Sequence, residues 1–180
     1  QYGTDQYHIP RFICAHAIMT SLEGVPALYI HSLLGTHNDQ KGVETFKHNR
    51  AINRYKWDFE DINSKLDDNN THHAHVFKQI TSLLNIRCKQ PAFHPNATQF
   101  TLHLGDQVFG FWRQSIKRDQ SIFCIHNISN QNIAIPLASI NLINLNDWTD
   151  IISGTVYTNL HDDLELTPYQ FVWLTNKPYE

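Results

Sequence analysis

The sequence predicts an α+β chain in two parts. Residues 1–90 read as two long helices flanking one buried strand, and residues 91–180 as an all-β antiparallel domain. Two observations carry this. Apolar residues recur at helical spacing over 8–22 and 72–88, with the continuous apolar run VPALYI between them. After Pro91 the pattern changes to short β-branched or aromatic runs at roughly ten-residue spacing, parted by turn material.

Each element has its own signal. In HIPRFICAHAIMTSL, residues 8–22, Ile9, Phe12, Ile13, Ala17 and Leu22 share a stripe that Ile18 and Met19 widen, so most of this helix should be buried. Pro10 suits a first helical turn and Gly24 a stop. VPALYI, residues 25–30, is apolar throughout without alternation, as buried parallel strands are. The polar connection 32–71 is long enough to be functional or to hold small helices of its own, and WDFEDINSKL, residues 57–66, reads as one. HHAHVFKQITSLLNIRC, residues 72–88, is an amphipathic helix that Pro91 ends. FTLHL, VFGFWRQS, SIFCIHNIS, IAIPL, WTDIISG and YQFVWL are the expected strands.

Composition excludes several classes. Apolar residues make up 41% and charged residues 17%, as in folded domains. A net charge of −3 with dispersed basic residues argues against nucleic acid and anionic membrane as partners. No apolar run approaches the roughly 20 residues of a membrane span. QYGTDQYHIPRF lacks the basic and apolar regions of a signal peptide. Cys14, Cys88 and Cys124 are too few and too scattered for a disulfide framework, which fits reduced, mostly buried thiols in a cytoplasmic protein. The sequons at Asn69, Asn96 and Asn127 are expected by chance in an Asn-rich chain.

The densest polar chemistry follows the apolar run, where Asn38, Asp39, Arg50, Asn53 and Arg54 fall in one loop. A guanidinium offers a rigid fork of donors that never loses its charge; for Arg50 a structural ion pair is the bland reading, set against the role that the resemblance below implies. Asp39 is either a site carboxylate or a turn former. Arg54 and Asn53 are expected to hold the loop together, and Glu44 to be solvated. His72 and His75 share a helix face without a third ligand nearby; His72, His73 and His75 are expected to be exposed and no metal is expected. His31 is expected to be packed or hydrogen-bonded. The aromatics Trp112, Trp148, Trp173, Phe109, Phe111 and Phe171 are expected in the core rather than as a sugar platform.

The order of G-V-P-A-L-Y, HSLLGTHND, GVETFKHNRAINR, AFHP and P-Y-Q-F-V-W-L resembles the sucrose-phosphorylase-like branch of the α-amylase superfamily, over nearly the whole chain. The resemblance implies the last helix–strand–helix segment of a (β/α)8 barrel over 1–90 (helix 7, strand 8, helix 8) and an antiparallel β-sandwich over 91–180. It implies a retaining glycosyltransferase in which one carboxylate attacks the anomeric carbon and another protonates the leaving group. Phosphate then takes the glucosyl unit. Those carboxylates lie on earlier strands in the family, so no catalytic residue is assigned here and the chain alone is expected to be inactive. By the same resemblance Arg50 contacts glucosyl hydroxyls, and Asn38 and Asp39 sit at the mouth of the site. Substrates are an α-glucoside such as sucrose or glucosylglycerate, with inorganic phosphate as co-substrate and no cofactor. A hydrolase or transglucosidase, or a stand-alone carbohydrate- or protein-binding β module, are the alternatives. A lone barrel strand cannot satisfy its edges, so self-association through this region is also expected.

Overall fold

The 14-residue helix α1 (His8–Ser21) forms where the apolar stripe predicts it, but of that stripe it buries only Ile13 and Ala17, together with Cys14, Thr20 and Ser21, and leaves Ile9, Phe12, Ile18, Met19 and Leu22 part-buried. The structure, a computed structural model, describes residues 5–140, 147–159 and 161–179. Helices come first and an antiparallel sheet follows: α2 (Ile30–Leu33), α3 (Gln40–Phe46), α4 (Phe59–Asp67), α5 (His72–Lys89), then strands β1 (Thr98–Leu102), β2 (Val108–Gln114), β3 (Ser121–Asn127), β4 (Ile133–Pro136), β5 (Trp148–Asp150), β6 (Val156–Tyr157), β7 (Asp163–Leu166) and β8 (Phe171–Thr175). The chain divides into two compact units, one of residues 1–26 with 83–180 and one of residues 27–82. Among the described residues, no helix is long and apolar enough to cross a membrane.

The first unit holds a six-stranded sheet in the order β1-β2-β3-β8-β5-β6 and a separate β4-β7 pair. β3 is the pivot: Phe123 and Ile125 point into an apolar core with Ile135, Leu164, Leu166, Val172 and Leu174, while Cys124 on the opposite face of β3 pairs with Trp173 of β8 and Phe111 of β2. A strand buried on both faces reads as one apolar run, which is what Ile122, Phe123, Cys124 and Ile125 make at its centre. α1 packs against β3, with the Cys14 thiol 3.7 Å from the Asn127 carbonyl. Trp148, Trp173 and Phe111 are buried, as core residues rather than a platform. Cys14 and Cys124 are buried free thiols and Cys88 is exposed; burial pushes the Cys14 pKa up to about 12, so it stays protonated.

The carboxyl end of α1 is held in a way its own sequence does not signal. No basic residue lies in its last turn. Two distant arginines serve instead: Arg87 donates from Nε to the Thr20 carbonyl at 2.5 Å and from Nη2 to that of Gly24, just past the helix, at 3.1 Å, and Arg113 Nη1 donates to the Ser21 carbonyl at 2.9 Å. Arg113 Nη2 also donates to the His94 carbonyl at 3.0 Å and, more weakly, to Ala97 at 3.3 Å. Cations there also answer the negative end of the helix dipole.

His126 on β3 is fully buried among aromatic rings, stacked on Phe111 at 5.7 Å and Phe171 at 6.1 Å. Its Nδ1 lies 2.9 Å from the Phe109 carbonyl, which can only accept, so Nδ1 carries the proton. Burial pushes its pKa down to about 4, keeping the ring neutral in the fold. A free histidine protonates near pH 6.5, so the unfolded chain binds a proton that the folded chain refuses, and stability falls as pH drops from about 6.5 to 4. The loss reaches about 3 kcal/mol below pH 4. Urea denaturation at stepped pH should show this limb, and His126→Phe should remove about one proton of its slope.

Residues 25–30 differ from expectation. They form no strand: the segment is extended up to Tyr29, and α2 starts at Ile30. Val25 is 81% exposed and Ile30 53%. A parallel strand is fixed by neighbours on its hydrogen-bonding edges, and no backbone N–H of Val25, Ala27, Leu28 or Tyr29 finds a partner among the described residues. β6 and β7 were not expected; β7 alternates buried Leu164 and Leu166 with exposed Asp163 and Glu165.

Candidate functional site

The second unit is built around the turn after α2. Gly35 adopts φ +59, and its Cα faces Val76 of α5 so closely that a Cβ would stand 3.2 Å from that side chain. Thr36 follows: its N–H donates to the His31 carbonyl at 2.8 Å, and its hydroxyl accepts from Trp57 Nε1 at 2.9 Å and lies 3.1 Å from His31 Nδ1. His31 is thus hydrogen-bonded, as expected.

His72 and His73 correct the expectation of exposure. His73 is 6% exposed and its Nδ1–H donates to the Leu34 carbonyl at 2.6 Å, while His72 Nε2–H donates to the Gly35 carbonyl at 3.0 Å. The turn carbonyls need donors, and the first turn of α5 supplies them. The His37 ring lies 4.4 Å from that of His72, tilted by 46°, and Trp57 meets His73 edge-on at 5.0 Å. Among the described residues no cluster of His, Cys, Asp or Glu could hold a metal ion.

A cleft of about 300 Å³ opens beside this cluster, lined by Thr36, His37, Asn38, Asp39, Tyr55 and Trp57 among others. Asn38 and Asp39 therefore share one concavity. Asp39 is pinned at both ends: its N–H donates to the Ile52 carbonyl at 2.7 Å, and its Oδ1 caps α3 by accepting from the Gly42 N–H at 2.8 Å. Gly42 is buried under that carboxylate, where a Cβ would stand 2.3 Å from Asp39 Oδ2. Gly42→Ala should therefore dislodge the carboxylate, costing about 1–2 kcal/mol in chemical denaturation through the lost cap.

Arg50 is not brought to this cleft. It sits exposed on the 3-10 turn Asn49–Asn53, with its backbone N–H donating to His48 Nδ1 at 3.0 Å. Its guanidinium has no ion-pair partner among the described residues. Asn53 holds the loop, its carbonyl accepting from the Tyr29 hydroxyl at 2.8 Å, and Arg54 and Glu44 are exposed. Sequence reasoning missed Thr36, Tyr55 and Trp57 as cleft residues. The aromatic pair after R-x-I-N-R was a signal, but the bond from Trp57 to Thr36 spans 21 residues and leaves no local trace.

The fold aligns with about a third of α-amylase-family structures. AmyP in complex with maltose superposes with a TM-score of 0.73 at 12% identity, over 97% of this chain and 36% of that one. An α-amylase from Geobacillus thermoleovorans, complexed with acarbose, gives 0.67 at 14%, over 93% and 33%. At such identity the likeness concerns fold alone.

By sequence the chain is a partial relative of glucoside phosphorylases. It is 33% identical over 173 residues to the glucosylglycerate phosphorylase of Escherichia coli, covering 96% of this chain and 29% of that protein. The glucosylglycerate phosphorylase of Spirochaeta thermophila is 32% identical over 177 residues, covering 94% of this chain and 30% of that protein. The chain thus spans less than a third of the length of these relatives. No family model matches it.

Proposed function

We propose that this chain is the C-terminal portion of a retaining α-glucoside phosphorylase, cytoplasmic, with its catalytic carboxylates on an upstream part of the barrel. The observation that carries the reading is the 32–33% identity to two glucosylglycerate phosphorylases across nearly the whole chain, the Asn38 to Arg54 loop included. Glucosylglycerate is the first candidate donor and sucrose the second. In the complete enzyme Val25–Ile30 becomes a barrel strand; its extended backbone, unpaired N–H groups and exposed apolar side chains suit it to receive strand neighbours. Asn38 and Asp39 stand at the mouth of the glucosyl site, and Arg50 donates to glucosyl hydroxyls. Since Arg50 is solvent-facing in the chain by itself, its partner is a bound sugar or the rest of the barrel. Left alone, the same apolar segment favours self-association.

The chemistry balances without a cofactor. A carboxylate displaces the aglycone from the anomeric carbon, a carboxylic acid gives its proton to the departing oxygen, and a phosphate oxygen then displaces the carboxylate. Two inversions give α-glucose 1-phosphate. The test is product analysis by NMR, using the protein extended upstream to a full barrel. α-Glucose 1-phosphate from glucosylglycerate or sucrose, formed only with phosphate present, is the expected result. Free glucose released without phosphate would instead support the hydrolase reading.

A further inference from the structure

A recess of about 590 Å³ opens in the first unit, between the start of α1 and the loops that leave β3 and enter β8. Two tyrosines wall it: the Tyr7 and Tyr169 rings lie 5.7 Å apart, tilted by 56°. Arg11 stands over the Tyr169 ring at 5.1 Å, and its Nη2 donates to both carboxylate oxygens of Asp5 at 2.6 Å. The charge in the recess is therefore internally cancelled. Ser129 and Asn130 supply polar groups at the rim.

These walls are built, not loose. Buried Asn127 anchors the loop below them: its Nδ2 donates to the Gln131 and Thr167 carbonyls at 2.7 and 2.9 Å, and its Oδ1 accepts from the Ser129 N–H at 2.9 Å and hydroxyl at 2.7 Å. Tyr169 is held at φ +58, a left-handed backbone that L side chains adopt at a cost, with its N–H donating to the Ser129 carbonyl at 3.2 Å. An aromatic residue kept in that conformation, with its ring facing a cavity, points to a use for the ring.

We propose that this recess is a second binding site, for a neutral pyranoside. A sugar ring has an apolar C–H face and a rim of hydroxyls, so it needs aromatic surface flanked by donors and acceptors. The two phenol rings supply the surface, and the Asn130 side-chain amide and the phenolic hydroxyls supply the flanks. An anionic ligand gains nothing here, because Asp5 already neutralises Arg11. This site stands whether or not the phosphorylase reading does.

Saturation-transfer NMR on the 180-residue chain tests it, with methyl α-D-glucopyranoside and maltose as probes. Transfer to the probes should weaken about tenfold or more in affinity, worth 1.4 kcal/mol, in Tyr169→Gly and Tyr169→Asn. Both replacements tolerate the left-handed backbone, so melting temperature should hold or rise. α-Glucose 1-phosphate should bind no better than the methyl glucoside, since Asp5 already neutralises Arg11. No transfer to either sugar, binding that survives both Tyr169 variants, or tighter binding of α-glucose 1-phosphate than of the methyl glucoside would overturn the proposal.

Discussion

Arg113→Met should destabilise the chain by about 3 kcal/mol, and Arg113→Ala by about 5, in urea denaturation at neutral pH. Arg113 is fully buried, and three carbonyls accept from it: those of Ser21, His94 and Ala97. Each buried carbonyl left without a donor costs about 1–3 kcal/mol. Against this, removing an uncompensated cation from the interior returns part of its desolvation cost, and burial indeed lowers the Arg113 pKa. Three lost bonds to a charged donor outweigh that return for methionine, and alanine adds a cavity of the kind that costs about 2–5 kcal/mol. Lysine should fall between wild type and methionine, since an ammonium has no planar fork to span carbonyls from two segments. A neutral effect of methionine would mean that desolvation cancels the bonds.

Arg50→Gln should lower kcat/KM for phosphorolysis by about 100-fold or more in the complete enzyme, while leaving the melting temperature within a degree or two. The two halves have separate causes. Hydrogen bonds to a charged donor contribute about 1.5–3 kcal/mol each, so under the proposed sugar-contacting role two such bonds would account for the fall in rate. The side chain is exposed and ion-paired to nothing among the described residues, so its loss removes no packing. A large fall in melting temperature with unchanged kinetics would make Arg50 a structural residue instead. Arg50→Lys should recover only part of the activity.

The two long helices and the central strands were legible because burial imposes a period. α1 and α5 keep an apolar stripe, and β3 is apolar on both faces. Residues 25–30 show the limit of such reading. Their apolar run predicts a buried strand, yet burial and pairing need neighbours, and Val25 is left 81% exposed. α3 escaped notice because seven residues with one buried glycine make no stripe; its cap, Asp39, was visible only as a loop carboxylate. β7 carried a legible alternation that its charges hid. Within the candidate site, Asn38 and Asp39 were readable from the loop, while Trp57 and His73 were not, because long-range bonds place them. The arginine clamp on α1 is the same case: 92 residues separate Arg113 from Ser21.

The most direct measurement is a coupled assay for glucose 1-phosphate, run side by side on the 180-residue chain and on the protein extended upstream to a full barrel. Glucosylglycerate and sucrose serve as donors, with phosphate present or absent. Phosphate-dependent product is expected from the extended protein and none from the 180 residues. Product from the 180-residue chain itself would contradict that expectation, and would place the reacting carboxylates among Asp39, Glu44, Asp58 and Asp61.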